Sequence, residues 1–371
     1  MRKKTVLPFI LLFCFIALLF SACENKVKDE ETPSDFKFSI YESRAETVTK
    51  PAEFTYALVK YSGSDRDVVI PSSYKGKPVT KIDANVFSGH REIESVVIPD
   101  SVTEIGEKAF SDTKLSSVSL PTGLKNLGKN AFDWDNVEIS GTAKVLSSFS
   151  KSGIKKYTIT GGEPEDFIIK DRESLTDVVI TASWTSIKND LFVACTNLKR
   201  VVLPNTVTEI GMMAFLACSS LESVTFSDSL QRIRTSAFAL CHSLKNIVFP
   251  ASLETIESGA FALCNDLTSI TFSNSLKSIG DSAFYHCEKL TNVTFPASLE
   301  EIGDESFSEC DELTTISFGN KLTHLGEDSF GECRKLKTVN YSGTTAQWNN
   351  IEKSNWDRIS GAYTLYCSGD N

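Results

Sequence analysis

Cysteine spacing is the first feature of this sequence that could carry chemistry. The 371 residues include ten cysteines, and seven of them follow one another at a constant step of 23. Neighbouring cysteines are never closer than nine residues, so no CxxC pair exists and zinc fingers, zinc ribbons and thioredoxin-type sites are excluded. The seven regularly spaced residues, called the cysteine ladder below, are Cys195, Cys218, Cys241, Cys264, Cys287, Cys310 and Cys333.

The constant step predicts that the ladder cysteines stack, provided that the chain coils once per step. Stacked strands lie about 4.8 Å apart, which falls within the Cα separation of roughly 4.4–6.8 Å that a disulfide tolerates. Parallel stacking, however, points every Cβ the same way and keeps the Cβ atoms beyond the roughly 3.8 Å that a disulfide prefers. We therefore predict a structural column of buried, apolar thiols, with a disulfide or a metal site as the alternatives. Outside the ladder, Cys367 is the candidate for an exposed thiol, although a packed residue of the C-terminal cap is the favoured interpretation.

The first 23 residues carry a second chemical signal. Basic residues at positions 2–4 lead into an apolar run that ends in Ser21 and Ala22, the pattern of a secretory signal peptide. The residues before Cys23 resemble a bacterial lipobox, although Phe20 stands where Leu is preferred. The resemblance implies cleavage before Cys23, a diacylglycerol on the Cys23 sulfur and an acyl chain on its nitrogen. Together these lipid chains would anchor the protein firmly to a membrane, because one acyl chain alone binds only marginally. An ordinary signal peptide or an uncleaved anchor is the alternative.

Histidines and acidic residues show no pattern typical of catalysis. Glutamates recur before Ile-Gly pairs, as at Glu104, Glu209 and Glu301; such a row predicts a solvated edge of the stack or, alternatively, a bridging cation. The histidines occupy different positions of the period, so they do not assemble a nucleophile, a base and an orienting acid. We predict no enzyme activity, no cofactor and no metal site. The histidines are His90, His242, His286 and His324.

Composition places the chain among ordinary folded proteins. Hydrophobic residues make up 41% and charged residues 23%, which excludes disorder and collagen-like structure. The formal net charge is −10, and without the leader 35 basic residues stand against 48 acidic ones. An acidic chain disfavours nucleic-acid binding, which needs a basic surface.

The elements that must position the ladder are copies of one repeat. A unit opens with Leu-x-x-Val-x-Phe, as at Leu221, and closes with Ile-Gly-x-x-Ala-Phe-x-x-Cys, as from Ile279 to Cys287. The opening alternation predicts a short strand with one buried face. Units begin every 23 residues from Leu175 to Leu336 and every 19–22 residues upstream, about thirteen in all. Such a chain predicts a solenoid of short parallel strands in a curved right-handed coil, with irregular or short helical connections on its convex side.

The ends and one internal stretch depart from the repeat. Between residues 134 and 174 the Ala-Phe-x-x-Cys half is missing, which predicts degenerate repeats of unchanged architecture or, alternatively, a kink or bulged loop. Trp348 and Trp356 suit a lid over the last turn. The predicted divisions are a signal peptide at 1–22, a tether and lead-in at 23–53, an N-terminal cap with the first repeat at 54–92, the solenoid at 93–340 and a C-terminal cap at 341–371.

These strings resemble the BspA-like, treponemal-type leucine-rich repeat family of bacterial surface proteins. The resemblance rests on Leu-x-x-Ile/Val-x-Phe/Leu-Pro, Ile-Gly-x-x-Ala-Phe, the Cys-x-x-Leu junction and the Tyr-Ser-Gly-Thr ending that begins at Tyr341. It covers residues 54–367 and implies a leucine-rich repeat fold. It also implies export to the cell surface and adhesion to host matrix or serum proteins or to other bacteria.

Strand residues on either side of the buried Val or Ile are the candidates for partner binding. They would form two columns of small, mostly uncharged side chains on the concave face, the surface with which solenoids hold macromolecules. Alternatively, Thr and Ser are simply favourable exposed strand residues. The columns contain Arg200 and Val202, Ser223 and Thr225, Asn246 and Val248, Ser269 and Thr271, Asn292 and Thr294, Thr315 and Ser317, and Thr338 and Asn340.

Together these features predict a monomeric, lipid-anchored protein on the outer membrane and cell surface of a bacterium, with a protein as its partner. The alternative is a non-catalytic envelope or periplasmic scaffold that binds a bacterial partner, with the lipid in the periplasmic leaflet.

Overall fold

The structure is a computed structural model that describes residues 34–42, 54–149 and 153–370. The predicted signal peptide, Cys23 and much of the predicted tether lie outside the described residues. Within them, no helix combines the length and the apolar character that crossing a membrane requires.

The described chain forms a β-solenoid of about 13 turns with parallel strands and very little helix, which confirms the predicted fold. The strand that opens each unit belongs to one row, called the front row below. Most neighbouring strands pair in parallel with residues one repeat apart, as Val201 with Val224 and Ile316 with Val339. The pairing is interrupted after Ser95–Val97, Ser223–Thr225 and Ser269–Thr271. The front row contains Asp67–Val69, Ser95–Val97, Ser117–Ser119, Glu138–Thr142, Lys156–Gly161, Asp177–Ile180, Arg200–Val202, Ser223–Thr225, Asn246–Val248, Ser269–Thr271, Asn292–Thr294, Thr315–Phe318, Thr338–Tyr341 and Thr364–Cys367.

A second row of strands, called the rear row below, lies where the Ile-Gly half of each unit begins. Most of its strands are two residues long and pair in parallel across turns, as Ile256 does with Ile279. The short Ser73–Tyr74 strand pairs antiparallel with Lys77–Ile82 of this row. The rear row contains Phe36–Glu42, Phe54–Tyr61, Lys77–Ile82, Glu104–Ile105, Asn126–Leu127, Ser186–Ile187, Glu209–Ile210, Arg232–Ile233, Thr255–Ile256, Ser278–Ile279, Glu301–Ile302, His324–Leu325 and Glu352–Lys353.

Between the rows, the phenylalanine at the Ala-Phe position of each unit stacks on the equivalent phenylalanine of the next turn. Ring centroids of six successive pairs lie 5.0–5.3 Å apart, with interplanar angles of 14° or less. Each ring is fully buried, so each turn packs against the turns on both sides of it. The stack contains Phe192, Phe215, Phe238, Phe261, Phe284, Phe307 and Phe330.

Backbone geometry explains the Ile-Gly pair. A Cβ on Gly280 would lie 2.6 Å from the backbone nitrogen of Ser258 in the preceding turn, and one on Gly326 would lie 2.4 Å from that of Asp304. Glycine therefore lets successive backbones approach closely at this corner.

The segment that departs from the repeat changes the rear of the solenoid and leaves the front intact. Its front strands Glu138–Thr142 and Lys156–Gly161 continue the parallel sheet in both directions. Among the described residues, the rear row has no strand between Asn126–Leu127 and Ser186–Ile187, and the helix Ala143–Ser148 and the 3-10 helix Pro164–Asp166 lie in this interval. The regular stack of phenylalanines is interrupted there as well.

Both ends of the stack are covered by aromatic residues. At the N-terminal end the centroid of the Tyr61 ring lies 5.1 Å from that of Phe87. At the C-terminal end the Trp356 ring meets the Phe330 ring edge-on, with centroids 5.8 Å apart. The C-terminal cap also contains the helix Thr345–Asn349 and the 3-10 helix Ser368–Asp370. A capping box of Thr344 and Gln347 begins the first of these helices.

Candidate interaction surface

The outward side chains of the front row form one regular surface, called the front face below, on the side predicted to be concave. Pairing in register places Ser223 beside Arg200, and Thr225 beside Val202. Residues of both columns are exposed from Ser223 through Thr294 and half-buried from Thr315 through Asn340. The structure thus places the predicted candidates in two columns along the front row.

Charge is confined to one end of these columns. Arg200 pairs with Asp177 of the preceding turn, with Nε 3.0 Å from Oδ1, whereas neither column has an ionisable residue from Ser223 to Asn340. The second of the six uncharged turns carries Val248, which is 69% exposed. A neutral strip with one exposed apolar residue therefore runs along an acidic chain.

Hydrogen bonds between turns order this strip. The Ser269 hydroxyl donates to Oδ1 of Asn246 at 2.6 Å, and the Asn340 amide donates to Oγ of Ser317 at 3.0 Å. Because the side chains are short and partly fixed before binding, they lose little conformational entropy when a partner covers them.

The cysteine ladder lies in the core as free thiols. All seven residues are fully buried. Six thiols donate a hydrogen bond to a phenylalanine carbonyl of the preceding turn, with Sγ to oxygen distances of 3.1–3.5 Å. Cysteine is therefore both a small apolar spacer and a weak donor for an inter-turn carbonyl. Cys367 is a free, half-buried thiol in the C-terminal cap.

Arg172 stands one period before Cys195 and takes the position of a ladder cysteine. Its guanidinium donates to the carbonyl oxygens of Leu191 and Val193, the latter at 2.5 Å. Burial raises the pKa of the Cys195 thiol to about 11, and the Arg172 charge opposes that rise. The step of 23 places Arg172 at the head of the ladder, which the sequence analysis missed by counting cysteines alone.

Histidine side chains pair with acidic or amide groups on separate turns. His90 meets Glu92 with Nδ1 2.6 Å from Oε1, and His324 lies 3.5 Å from Glu352. His242 contacts Asn265, with Nδ1 2.8 Å from Oδ1. The His242 and His324 contacts link successive turns of the solenoid, whereas His90 and Glu92 lie in the same turn.

His286 forms the largest of these clusters. Its Nε2 lies 2.8 Å from Glu288 and its Nδ1 lies 2.9 Å from Glu309. The Tyr285 hydroxyl donates to the same Glu309 carboxylate at 2.6 Å, which lowers the pKa of that carboxyl and raises the pKa of Tyr285 to about 12. Both ring nitrogens face carboxylates of different turns, an arrangement that fastens turns together.

The glutamates before Ile-Gly do not form a continuous acidic row. Glu209 pairs in register with Arg232, and Glu301 with Ser278 on one side and His324 on the other. Polar and basic residues thus separate the carboxylates. Among the described residues, no three His, Cys, Asp or Glu side chains gather to hold a metal ion.

The class of protein is a repeat solenoid of the leucine-rich type. Three features define it: parallel strands in register, a core of stacked phenylalanines and the long front face. The family model described as "BspA type Leucine rich repeat region (6 copies)" matches residues 62–163, 165–275 and 233–355, so the chain belongs to that family. Membership supports a role in protein–protein interaction, and solenoids of this family are generally non-catalytic scaffolds. A comparison with curated proteins gives no match.

Several solved structures similar to this chain are bacterial leucine-rich repeat proteins. One is a leucine rich cell surface protein of Faecalibacterium prausnitzii, 26% identical over 89% of this chain and 99% of that chain, with a TM-score of 0.38. A leucine-rich repeat protein of Bacteroides ovatus is 19% identical over 91% of this chain and 100% of that chain, with a TM-score of 0.43. The leucine-rich repeat protein of T. pallidum is 21% identical over 89% and 100%, with a TM-score of 0.39.

Proposed function

We propose that the protein is a lipid-anchored surface protein that binds another protein through the front face. The carrying observation is the uncharged strip from Ser223 to Asn340, with the exposed Val248 on its second turn. A chain with net charge −10 repels most acidic macromolecules. The strip is where a partner approaches without that repulsion and buries an apolar anchor.

The partner is a host matrix or serum protein, or a protein on another bacterium. The family match supports protein–protein interaction, and the similar F. prausnitzii protein is described as a cell surface protein. Short side chains leave the strands accessible to a broad, shallow partner. Cys23 is the lipidated residue in this proposal, and the chain acts as a monomer on the outer surface.

A triple substitution tests the face. Thr225→Glu, Thr271→Glu and Thr294→Glu place three carboxylates on exposed positions, and we expect at least tenfold weaker binding because each carboxylate must be desolvated. Binding is measured by surface plasmon resonance against a panel of purified matrix and serum proteins and against intact bacterial cells. The matched control is Ala251→Glu, Ala297→Glu and Asn320→Glu, which keeps the spacing and the charge but lies in exposed turns beyond the strands. Equal affinity of the two triples would falsify this location.

Protease shaving of intact cells separates adhesion from the scaffold alternative. A surface adhesin is cleaved on whole cells, whereas an envelope or periplasmic scaffold is cleaved only after lysis. Resistance on whole cells would favour the scaffold.

Metabolic labelling with palmitate tests the anchor. We expect label in the natural chain and none after Cys23→Ala; label that persists in the variant would count against Cys23.

A further inference from the structure

An aromatic and basic cluster covers one face of the N-terminal cap. The Phe38 and Tyr74 rings stack at 4.5 Å, and Tyr56 meets Tyr74 edge-on at 4.9 Å. Phe54 lies 6.1 Å from Tyr56. This cluster is called the cap patch and consists of Phe38, Ile40, Phe54, Tyr56, Tyr74, Lys75 and Lys77.

Strand pairing places the apolar members on the same side of the sheet. Ile40 lies directly opposite Tyr56 across the antiparallel pair, and Phe54 is the next residue along on that side. Ile40 is 65% exposed and Phe54 is 40% exposed. Most large apolar side chains of the solenoid are buried, so a patch that leaves two of them open requires an explanation.

Two lysines of the cap patch lie beside its aromatic rings. Nζ of Lys77 lies 5.4 Å from the Phe54 ring, and Nζ of Lys75 lies 5.4 Å from the Tyr74 ring. Aromatic rings with an apolar body beside lysines that extend their charge outward are the composition found at membrane–water interfaces.

The charge of the chain also reverses at this end. Residues 34–82 carry eight Lys or Arg against six Asp or Glu, whereas residues 83–371 carry 25 against 38. A surface of anionic phospholipids attracts the first segment and repels the rest. Charge complementarity therefore favours a membrane over an acidic protein surface as the occupant of the cap patch.

The chain between Cys23 and the cap is short enough to keep the patch near a membrane that holds Cys23. Ten residues separate Cys23 from Ser34, which span at most about 35 Å when fully extended. We propose that the cap patch rests on the phospholipid headgroups of the bilayer that holds Cys23, with Ile40 and Phe54 entering the interface. This inference rests on the proposed lipidation of Cys23. It orients the solenoid with its N-terminal cap on the membrane and its remaining turns outward.

Fluorescence quenching tests the contact. The full chain is produced in a bacterium that processes lipoproteins and is placed in vesicles of phosphatidylethanolamine and phosphatidylglycerol that contain brominated phosphatidylcholine. We expect Phe54→Trp to gain emission that shifts to the blue and is lost to bromine. Ile359→Trp, at a side chain 60% exposed on the C-terminal cap, is the matched control and should keep its emission. Ile40→Trp gives the same measurement should Phe54→Trp fail to fold.

A charge variant tests the lysines. In the Phe54→Trp chain, Lys75→Glu with Lys77→Glu should weaken binding of the cap patch to the membrane by more than about fivefold for each lysine removed. The weakening is measured as recovery of the emission that brominated lipid quenches. Lys199→Glu with Lys245→Glu, at exposed positions further along the solenoid, should leave the quenching unchanged. Equal recovery in both pairs would contradict a specific role of the cap patch.

The mass of the purified chain separates this inference from the anchor. A chain that carries lipid and is quenched only at the cap supports both. A chain that carries lipid and shows no quenching at position 54 or 40 overturns the membrane contact and leaves the anchor in place. Quenching of an unlipidated chain added to the same vesicles overturns the anchor and supports the patch, and an unlipidated chain without quenching overturns both.

Discussion

The thiol of Cys218 lies 3.1 Å from the carbonyl oxygen of Phe192 in the preceding turn. This relationship repeats along the ladder, so the thiols bind turns together in their protonated form. A thiolate could not donate this hydrogen bond and would be charged inside an apolar core. Ionisation of the ladder is therefore coupled to unfolding.

We expect the free energy of unfolding to fall steeply above pH 9. Burial raises the pKa of Cys264 from 9.0 to about 12 and raises that of Cys241 and Cys287 well above 9.0. A group whose folded pKa is raised stabilises the fold fully below its unfolded pKa, and this stabilisation is lost as pH rises through the folded pKa. Each such thiol contributes a slope of about 1.4 kcal/mol per pH unit in that window.

Urea denaturation between pH 7 and pH 11 measures this slope. Cys264→Ala should be less stable than the natural chain at pH 7 because its side chain is truncated in the core, yet its stability should fall less steeply above pH 9. Identical slopes in the two chains would show that the ladder does not control alkaline unfolding.

A second prediction concerns the phenylalanine stack. The Phe261 ring lies 5.1 Å from Phe238 and 5.3 Å from Phe284, with near-parallel planes. Phe261→Leu should cost about 2–3 kcal/mol, because it removes ring contacts on both sides and leaves a gap. The exposed Phe54→Leu is the control and should cost less than about 0.5 kcal/mol. Similar losses in a thermal melt would contradict the dominance of the stack.

A third prediction compares two equivalent corners. Ser236 has a φ of 55°, and Gly259, one period later, has a φ of 63°. A residue other than glycine is strained in this left-handed region, so Ser236→Gly should stabilise the chain by about 0.5–1 kcal/mol. Gly259→Ser should destabilise it by a similar amount. The two changes are measured by chemical denaturation, and shifts of the same sign would refute the explanation.

The repeated half of the fold was predictable from the sequence because each unit repeats the same contacts. A step of 23 between Phe or Cys residues fixes register, and register fixes the stack and the ladder. Sequence analysis could not place the helix Ala143–Ser148, since the interval lacks the Phe and Cys that define register. The period does imply that Ser278 and His324 flank Glu301, because each lies 23 residues from it.

The two candidate surfaces differ in how far the sequence predicts them. The columns around Thr225 and Thr271 follow from alternation along a strand, which a sequence displays directly. The cap patch does not, since Phe38, Tyr56 and Tyr74 come from three strands that pair outside the repeat. Non-periodic pairing must be seen in three dimensions before such residues can be grouped.

The last prediction concerns the lid on the final turn. Trp356 is 5% exposed, meets Phe330 and Trp348 edge-on, and accepts a backbone hydrogen bond from Phe330 at 2.8 Å. Trp356→Ala opens the end of the phenylalanine stack and should cost about 3–5 kcal/mol in the turns beside it. Because each repeat contacts only its neighbours, the loss should fade with distance.

Hydrogen exchange of the backbone amides measures that decay. In the Trp356→Ala chain we expect the amides of Phe330 and Glu332 to exchange faster, and the amides of Phe215 and Phe238 to exchange as in the natural chain. Ile359→Ala, at a side chain 60% exposed in the same cap, should leave all four amides unchanged. Uniformly faster exchange from Phe215 to Glu332 would mean that the solenoid unfolds as one unit and that the lid stabilises every turn equally.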